Sequence, residues 1–245
     1  MEPSLQFVDE PVYIRDIIEC FHNCNIESES EDSTQCVMSI DIGILHLGIS
    51  VAILDKEYNL IEIIWIDLIN ITEFSHGRYV SEEKCKLFHT KSFCDWLDHV
   101  YQENSDFFEM ADYILIERQP PIGLVAIEQL IFSRWRHKAI LISPNSMHKH
   151  FNIGHYDYDN RKKATEKIAN KFLTNNDLVE QLTYYNRIHD ITDSICLMIF
   201  WINKKQKEYT YKMRKKMIME SKIQLSVDMK KMTINDWFDK HKLTI

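Results

Sequence analysis

Apolar residues come first in short β-like runs and only later at helical spacing. Residues 37–42, 48–54 and 60–67 are rich in Ile, Val and Leu, and Asp55-Lys56-Glu57-Tyr58-Asn59 reads as a turn between the last two. Three such runs with short connections predict an antiparallel meander. Residues 68–80 form a polar connection. Ser81 with Glu82 and Glu83 has the form of a helix start, and Cys85, Phe88, Phe93, Trp96, Leu97, Val100 and Tyr101 then recur near helical spacing. A fourth strand is predicted at Tyr113–Glu117, a helix at 123–138 and a fifth strand at 139–143. Ser143-Pro144 suits the N-cap and first turn of a short helix. Residues 152–159 read as a loop and 161–173 as a helix, with Ala164, Ile168 and Phe172 four apart. A final core helix is predicted at 188–202, with Ile188, Ile191, Ile195, Met198 and Ile202 on one apolar face. A hairpin sheet followed by alternating β and α units predicts an α/β fold, a mixed sheet covered by helices.

Composition narrows the class. A chain of 245 residues with 45% hydrophobic content suits one large domain or two small ones. Every apolar run is broken by charge before it can cross a bilayer, and the N-terminus lacks a secretory pattern. The six cysteines (Cys20, Cys24, Cys36, Cys85, Cys94, Cys196) are scattered. They read as reduced thiols of an intracellular, non-secreted protein. Cys20 and Cys24, with His22 between them, offer half of a zinc site, and no second well-spaced pair completes it.

The net charge of −8 argues against nucleic acid until its distribution is considered. Residues 1–36 hold nine acids and one base, so the remainder is neutral. From Asn203 onward twelve Lys/Arg face five Asp/Glu. A neutral core with a basic end can hold phosphates and keep an acidic pocket. The acidic, serine-rich stretch 27–33 marks residues 1–36 as a flexible extension. Lys212, Arg214, Lys215 and Lys216, interleaved with Tyr209 and Tyr211, have the composition of a phosphate-contacting segment, with a solvated basic helix as the plainer reading.

The candidate chemistry lies in four carboxylates. Asp41 ends the first predicted strand in Ser-Ile-Asp-Ile-Gly, and Glu117 ends the fourth in Ile-Glu-Arg-Gln-Pro. Asp190 and Asp193 lie three apart at the start of the last helix, so they point together, and the helix dipole tolerates both. Acids at strand ends are costly to bury alone, and four together repel unless a divalent cation sits among them. All-oxygen donors suit Mg²⁺, with Mn²⁺ as a substitute, and a pair of such ions can clamp both oxygens of a phosphodiester displacement. Gly43 and Gly48 have the spacing of a P-loop, but Ile49-Ser50 follows where Lys-Ser/Thr is required. Trp135 with Arg134, Arg136 and Lys138 reads either as a DNA-touching patch or as long side chains around a packed ring. His148 and His150 read as surface residues, and His189 as a helix-start histidine.

These motifs, with Ile-Ser-Pro at 142–144, Asn-Arg-Lys-Lys at 160–163 and Asp-Ile-Thr-Asp-Ser at 190–194, resemble the RuvC-type Holliday junction resolvases of poxviruses and other large DNA viruses, within the ribonuclease H-like superfamily. The resemblance covers roughly residues 37–217. It implies a ribonuclease H-like five-stranded mixed sheet, three strands antiparallel and then parallel, with residues 218–245 as a C-terminal extension. It implies a homodimer that nicks four-way DNA junctions with Mg²⁺, in DNA recombination or repair. Asp41, Glu117, Asp190 and Asp193 would bind the metal, with a lysine, Lys162 or Lys163, near the scissile phosphate. Arg118, Gln119, Arg161, Lys162 and Lys163 would face DNA. If the protein is viral, its compartment would be the host cytoplasm or nucleus where viral DNA replicates. Cleavage of RNA–DNA hybrids, and junction binding without catalysis, are the nearest alternatives. An actin-type ATP-binding protein would need further glycine-rich loops, and the chain's five glycines form none. Ile44-Leu45-His46 and the 68–110 insertion depart from the family pattern.

Overall fold

A computed structural model describes residues 34–43, 45–72, 85–90 and 92–242, with side chains described as far as residue 228. The chain divides into two units, residues 1–202 and 203–245. The first is built on a five-stranded sheet in the order β3-β2-β1-β4-β5. β1 (Gln35–Ile42), β2 (His46–Leu54) and β3 (Leu60–Asn70) form the antiparallel meander. β4 (Tyr113–Glu117) and β5 (Ala139–Ile142) add in parallel on the other side of β1. Parallel pairing needs long crossovers, and α1 (Phe93–Glu103), α2 (Ser105–Met110) and α3 (Val125–Arg134) supply them. After β5 come α4 (Pro144–His150), α5 (Tyr158–Ala169), α6 (Asn176–Thr183) and α7 (Ile188–Lys242).

Side-chain alternation divides the sheet into two faces. Met38, Ile40 and Ile42 of β1, Leu47, Ile49 and Val51 of β2, and Ile114 and Ile116 of β4 pack against α1, α2 and α3. The intervening residues, Val37, Ala52 and Leu115 among them, face α4 to α7. Asp41 and Glu117 are in phase with Val37 and Leu115, so they lie on the α7 face.

Three element predictions need correction. The helix expected from Ser81 begins at Phe93; Cys85–Thr90 are not helical, and Ser81 itself lies outside the described residues. Ser92 is the cap: its hydroxyl accepts from the Asp95 amide at 3.3 Å. The last helix does not stop at Ile202 but continues to Lys242, since no glycine or proline follows Gly154. It is also not one-faced. Residues 190–202 are buried almost all round, Thr192, Ser194, Cys196 and Leu197 included. Two short helices, α2 and α6, were not anticipated. α6 starts at Asn175, whose side chain accepts from the Asp177 amide, and it buries Leu178 and Leu182.

Within the second unit, every described residue of α7 from Thr210 to Asp228 is exposed. Among the described residues, no helix is long and apolar enough to cross a membrane. The acidic stretch 1–33 lies outside the described residues, as do Cys20 and Cys24.

Candidate active site

The site is assembled by a close approach of helix to strand. Gly48, Ser50 and Ala52 line the α7 face of β2. A Cβ on Gly48 would stand 2.1 Å from the carbonyl oxygen of Asp190, a distance no side chain tolerates. Ser194 donates to Ser50 at 3.1 Å one turn further on. These small residues let the first turns of α7 lie directly on the sheet. Gly48 is the strand partner of Asp41, so the contact that seats α7 also brings Asp190 beside Asp41. Gly43 has a similar role: a Cβ there would meet the His46 carbonyl at 2.9 Å and Asp190 Oδ2 at 3.4 Å.

Glu117 arrives from the other side. Ile40 pairs with Ile116 in parallel register, which makes Asp41 and Glu117 the next rung. Their carboxyl groups share a hydrogen bond. Burial above all, then the charges of Glu117 and Asp193, raise Asp41 well above the usual carboxylate range, against the pull of Lys162. Burial also raises Glu117, opposed by hydrogen bonds from Asp41, Gln119 and the Ile42 backbone. The two carboxyls thus form one coupled pair that holds protons more tightly than isolated acids do. Gln119 Nε2 donates to Glu117 Oε2 at 2.6 Å and reaches the Ile42 carbonyl at 3.4 Å. The Gln119 backbone amide is fixed in turn by the buried Glu128 of α3, at 2.5 Å.

Of the two lysine candidates, Lys162 enters the site. Its ammonium lies 2.5 Å from Asp193 Oδ2, with both side chains largely buried, while Lys163 is exposed. The helix phase explains this. Thr165 and Ala169, fully buried, carry α5 onto the core, and Lys162 is one turn before them on the same face. Burial alone would lower Lys162, but Asp193 and Asp41 overcome it and raise the value. Arg118, next to Glu117 in sequence, is exposed, and Arg161 is half-buried near the Tyr158 ring. Lys212, Arg214, Lys215 and Lys216 belong to the second unit and are exposed.

His148 departs from the surface role expected of it. Burial first, then Arg161 and Lys162, hold its imidazole below the ordinary value, with Asp193 opposing. It is half-buried on α4, within electrostatic reach of Asp193, Arg161 and Lys162. His150 is exposed, its ring edge against Phe151 and Phe200. Trp135 is a packed ring: it stacks on Phe108 with centroids 5.6 Å apart, and Lys138 lies over it while bonding the Phe108 carbonyl.

The donor set fits a hard divalent cation. Asp190 Oδ2 and Asp193 Oδ1 are buried and accept no hydrogen bond. The exposed Arg187 guanidinium comes within 3.4 Å of Asp190 Oδ2 without satisfying it. Buried acceptors without donors are rare, and oxygen-only ligands suit Mg²⁺ or Mn²⁺.

No family model matches the sequence, and no curated protein matches it. Solved structures do. Fowlpox virus resolvase in complex with Holliday junction DNA matches with a TM-score of 0.50 and 17% identity, over 69% of this chain and 98% of that one. The fold is ribonuclease H-like. A second structure of the Fowlpox virus Holliday junction resolvase matches at 0.49 and 18% identity, over 69% and 99%. Thermus thermophilus RuvC matches at 0.43 and 11% identity, over 70% and 98%.

Proposed function

We propose that the protein is a structure-selective endonuclease that resolves four-way DNA junctions by metal-dependent hydrolysis. The observation that carries this reading is the meeting of Asp41, Glu117, Asp190 and Lys162-bound Asp193 on one face of a ribonuclease H-like sheet. The Fowlpox neighbour, which shares the fold, is a resolvase crystallised with its junction.

Asp41, Glu117, Asp190 and Asp193 would hold Mg²⁺ or Mn²⁺, which when bound supplies Lewis-acid polarisation and an activated water. The protein's own groups do the rest. Gln119 fixes the rotamer of Glu117. The Asp41–Glu117 pair, raised by burial, would release its protons to solvent when it holds the cation. Lys162, steadied by Asp193, meets the negative charge growing on the phosphate. Arg118, Arg161 and Lys163 reach the flanking backbone, and the basic tail, Lys212 to Lys216, supplies further phosphate contacts read by charge and shape. A homodimer matches the two-fold symmetry of the junction. The exposed apolar residues Met217, Ile218 and Leu225 give the tail a surface for such pairing.

The test is cleavage of a synthetic four-way junction beside duplex, flap and RNA–DNA hybrid controls, with and without Mg²⁺. Paired nicks in the junction alone, dependent on the metal, are expected. Preference for the hybrid would move the reading to a ribonuclease. Junction binding without cutting in any divalent ion would end the catalytic reading.

A further inference from the structure

Cys85, His89 and His99 each bring one donor atom within 4.8 Å of the others, and no other group of three or more His, Cys, Asp or Glu among the described residues is so compact. They stand in the α1 layer, on the sheet face away from the carboxylates. We propose that these three side chains bind a zinc ion, with water in the fourth position, as a structural clasp on the segment before α1.

Four features support it. Cys85 Sγ lies 3.6 Å from His99 Nε2. Ligands at roughly 2.3 Å for sulfur and 2.0–2.1 Å for nitrogen, arranged tetrahedrally, stand about 3.6 Å apart. The tautomer is also set. His99 Nδ1 lies 2.7 Å from the Asp95 carbonyl, which can only accept, so Nδ1 carries the proton and the Nε2 lone pair faces Cys85. Orientation of a ligating imidazole by a backbone carbonyl is the usual arrangement at zinc.

The third feature is the fastening of the loop. Asp95 accepts from both the backbone amide, at 2.7 Å, and the hydroxyl of Thr90. That pins residues 85–90 across the start of α1 and sets the His89 ring 4.9 Å from the His99 ring. Burial is the fourth. His99 is 4% exposed, Cys85 is half-buried and His89 is exposed, so solvent reaches the site from one side. Thiolate and imidazole donors select zinc over the hard ions suited to the carboxylates. The spacing is Cys-x3-His-x9-His.

The rival arrangement is a plain thiol–imidazole hydrogen bond. Full-length protein, stripped with chelator, is titrated with Zn²⁺ and, as a spectroscopic probe, with Co²⁺. The proposal expects one tight equivalent, a thiolate-to-cobalt charge-transfer band and tetrahedral ligand-field bands. Cys85→Ser removes the charge-transfer band, and His89→Ala, an exposed position, weakens Zn²⁺ binding by at least about 100-fold, since a lost ligand costs no less than the loss of a partner that only orients one. Asp190→Asn leaves both readouts unchanged, which separates this site from the carboxylates. The absence of a tight equivalent, or a band that persists in Cys85→Ser and disappears in Cys20→Ser, overturns the proposal.

Discussion

The two faces of the central sheet come from the same strands and obey opposite rules. Toward α1, α2 and α3 the side chains are large and apolar, and an aromatic layer backs them: Trp65 stacks on Phe107 at 4.3 Å and Phe108 on Trp135. Toward α7 the β1 and β2 positions around the site are Ser39, Asp41, Gly48, Ser50 and Ala52, small or polar and all buried. The first face gains its stability from apolar area removed from water. The second gives some of that up so that a helix can approach within backbone contact and carry acids to acids. A one-residue period thus separates the part of the sheet that holds the fold from the part that holds the chemistry.

The sharpest way to test that division is to remove one carboxylate. Glu117→Gln keeps the shape of the side chain and its bond to Gln119 but loses its charge. Junction cleavage is expected to fall by about 100- to 1,000-fold, the cost of removing one preorganised charge-stabilising group, with the melting temperature unchanged or raised. An equal loss of stability would show that the two faces are not separable.

The opposite face predicts the reverse pattern. Phe108 is 1% exposed and packs against Tyr101 and Trp135. Phe108→Ala is expected to destabilise by about 3–5 kcal/mol, measured by denaturant unfolding, while the surviving folded protein cleaves at near the normal rate. Gly48→Ala tests the seam between them. With the Asp190 carbonyl 2.1 Å from the new methyl, α7 must shift. Overpacking of this kind costs about 1–3 kcal/mol, and here cleavage falls as well, because the same shift moves Asp190.

How much of this could be read from residues alone depended on whether the information was local. The five strands were legible as β-branched runs, and Asp41 and Glu117 as acids at strand ends. The pairing of Asp190 with Asp193 followed from helical spacing. Lys162 against Lys163 was not legible, because α5 turns Thr165 and Ala169 fully inward, whereas Ala164, Ile168 and Phe172 looked like its apolar face. Small residues that permit close approach outranked larger apolar ones. His148, Gln119 and Glu128 owe their positions to the docking of α4 and α3 around the site. The Cys85–His99 contact depends on a loop folding back over a helix start that a continuous helix from Ser81 had obscured.

The smallest expected effect concerns pH. Folded Asp41 and Glu117 hold protons more tightly than they do in the unfolded chain, whose values are 3.8 and 4.5. A raised folded value means stabilisation that is complete below the unfolded value and is lost as pH rises through the folded one. Metal-free protein should therefore lose melting temperature from about pH 4.5 upward, and Mg²⁺ should restore more of it at pH 8 than at pH 6, because it binds the ionised acids. Asp41→Asn removes the group with the larger shift. It is expected to flatten this slope and to stabilise the metal-free protein by about 0.5–2 kcal/mol, the usual gain from a single stabilising substitution. On the other face Ile40→Val, one residue away, should leave the slope intact and cost about 0.5–1.5 kcal/mol. Calorimetric melting of the three proteins across pH, with and without Mg²⁺, decides the matter. A wild-type slope that survives in Asp41→Asn would mean that the acids on the α7 face are not coupled as their geometry requires.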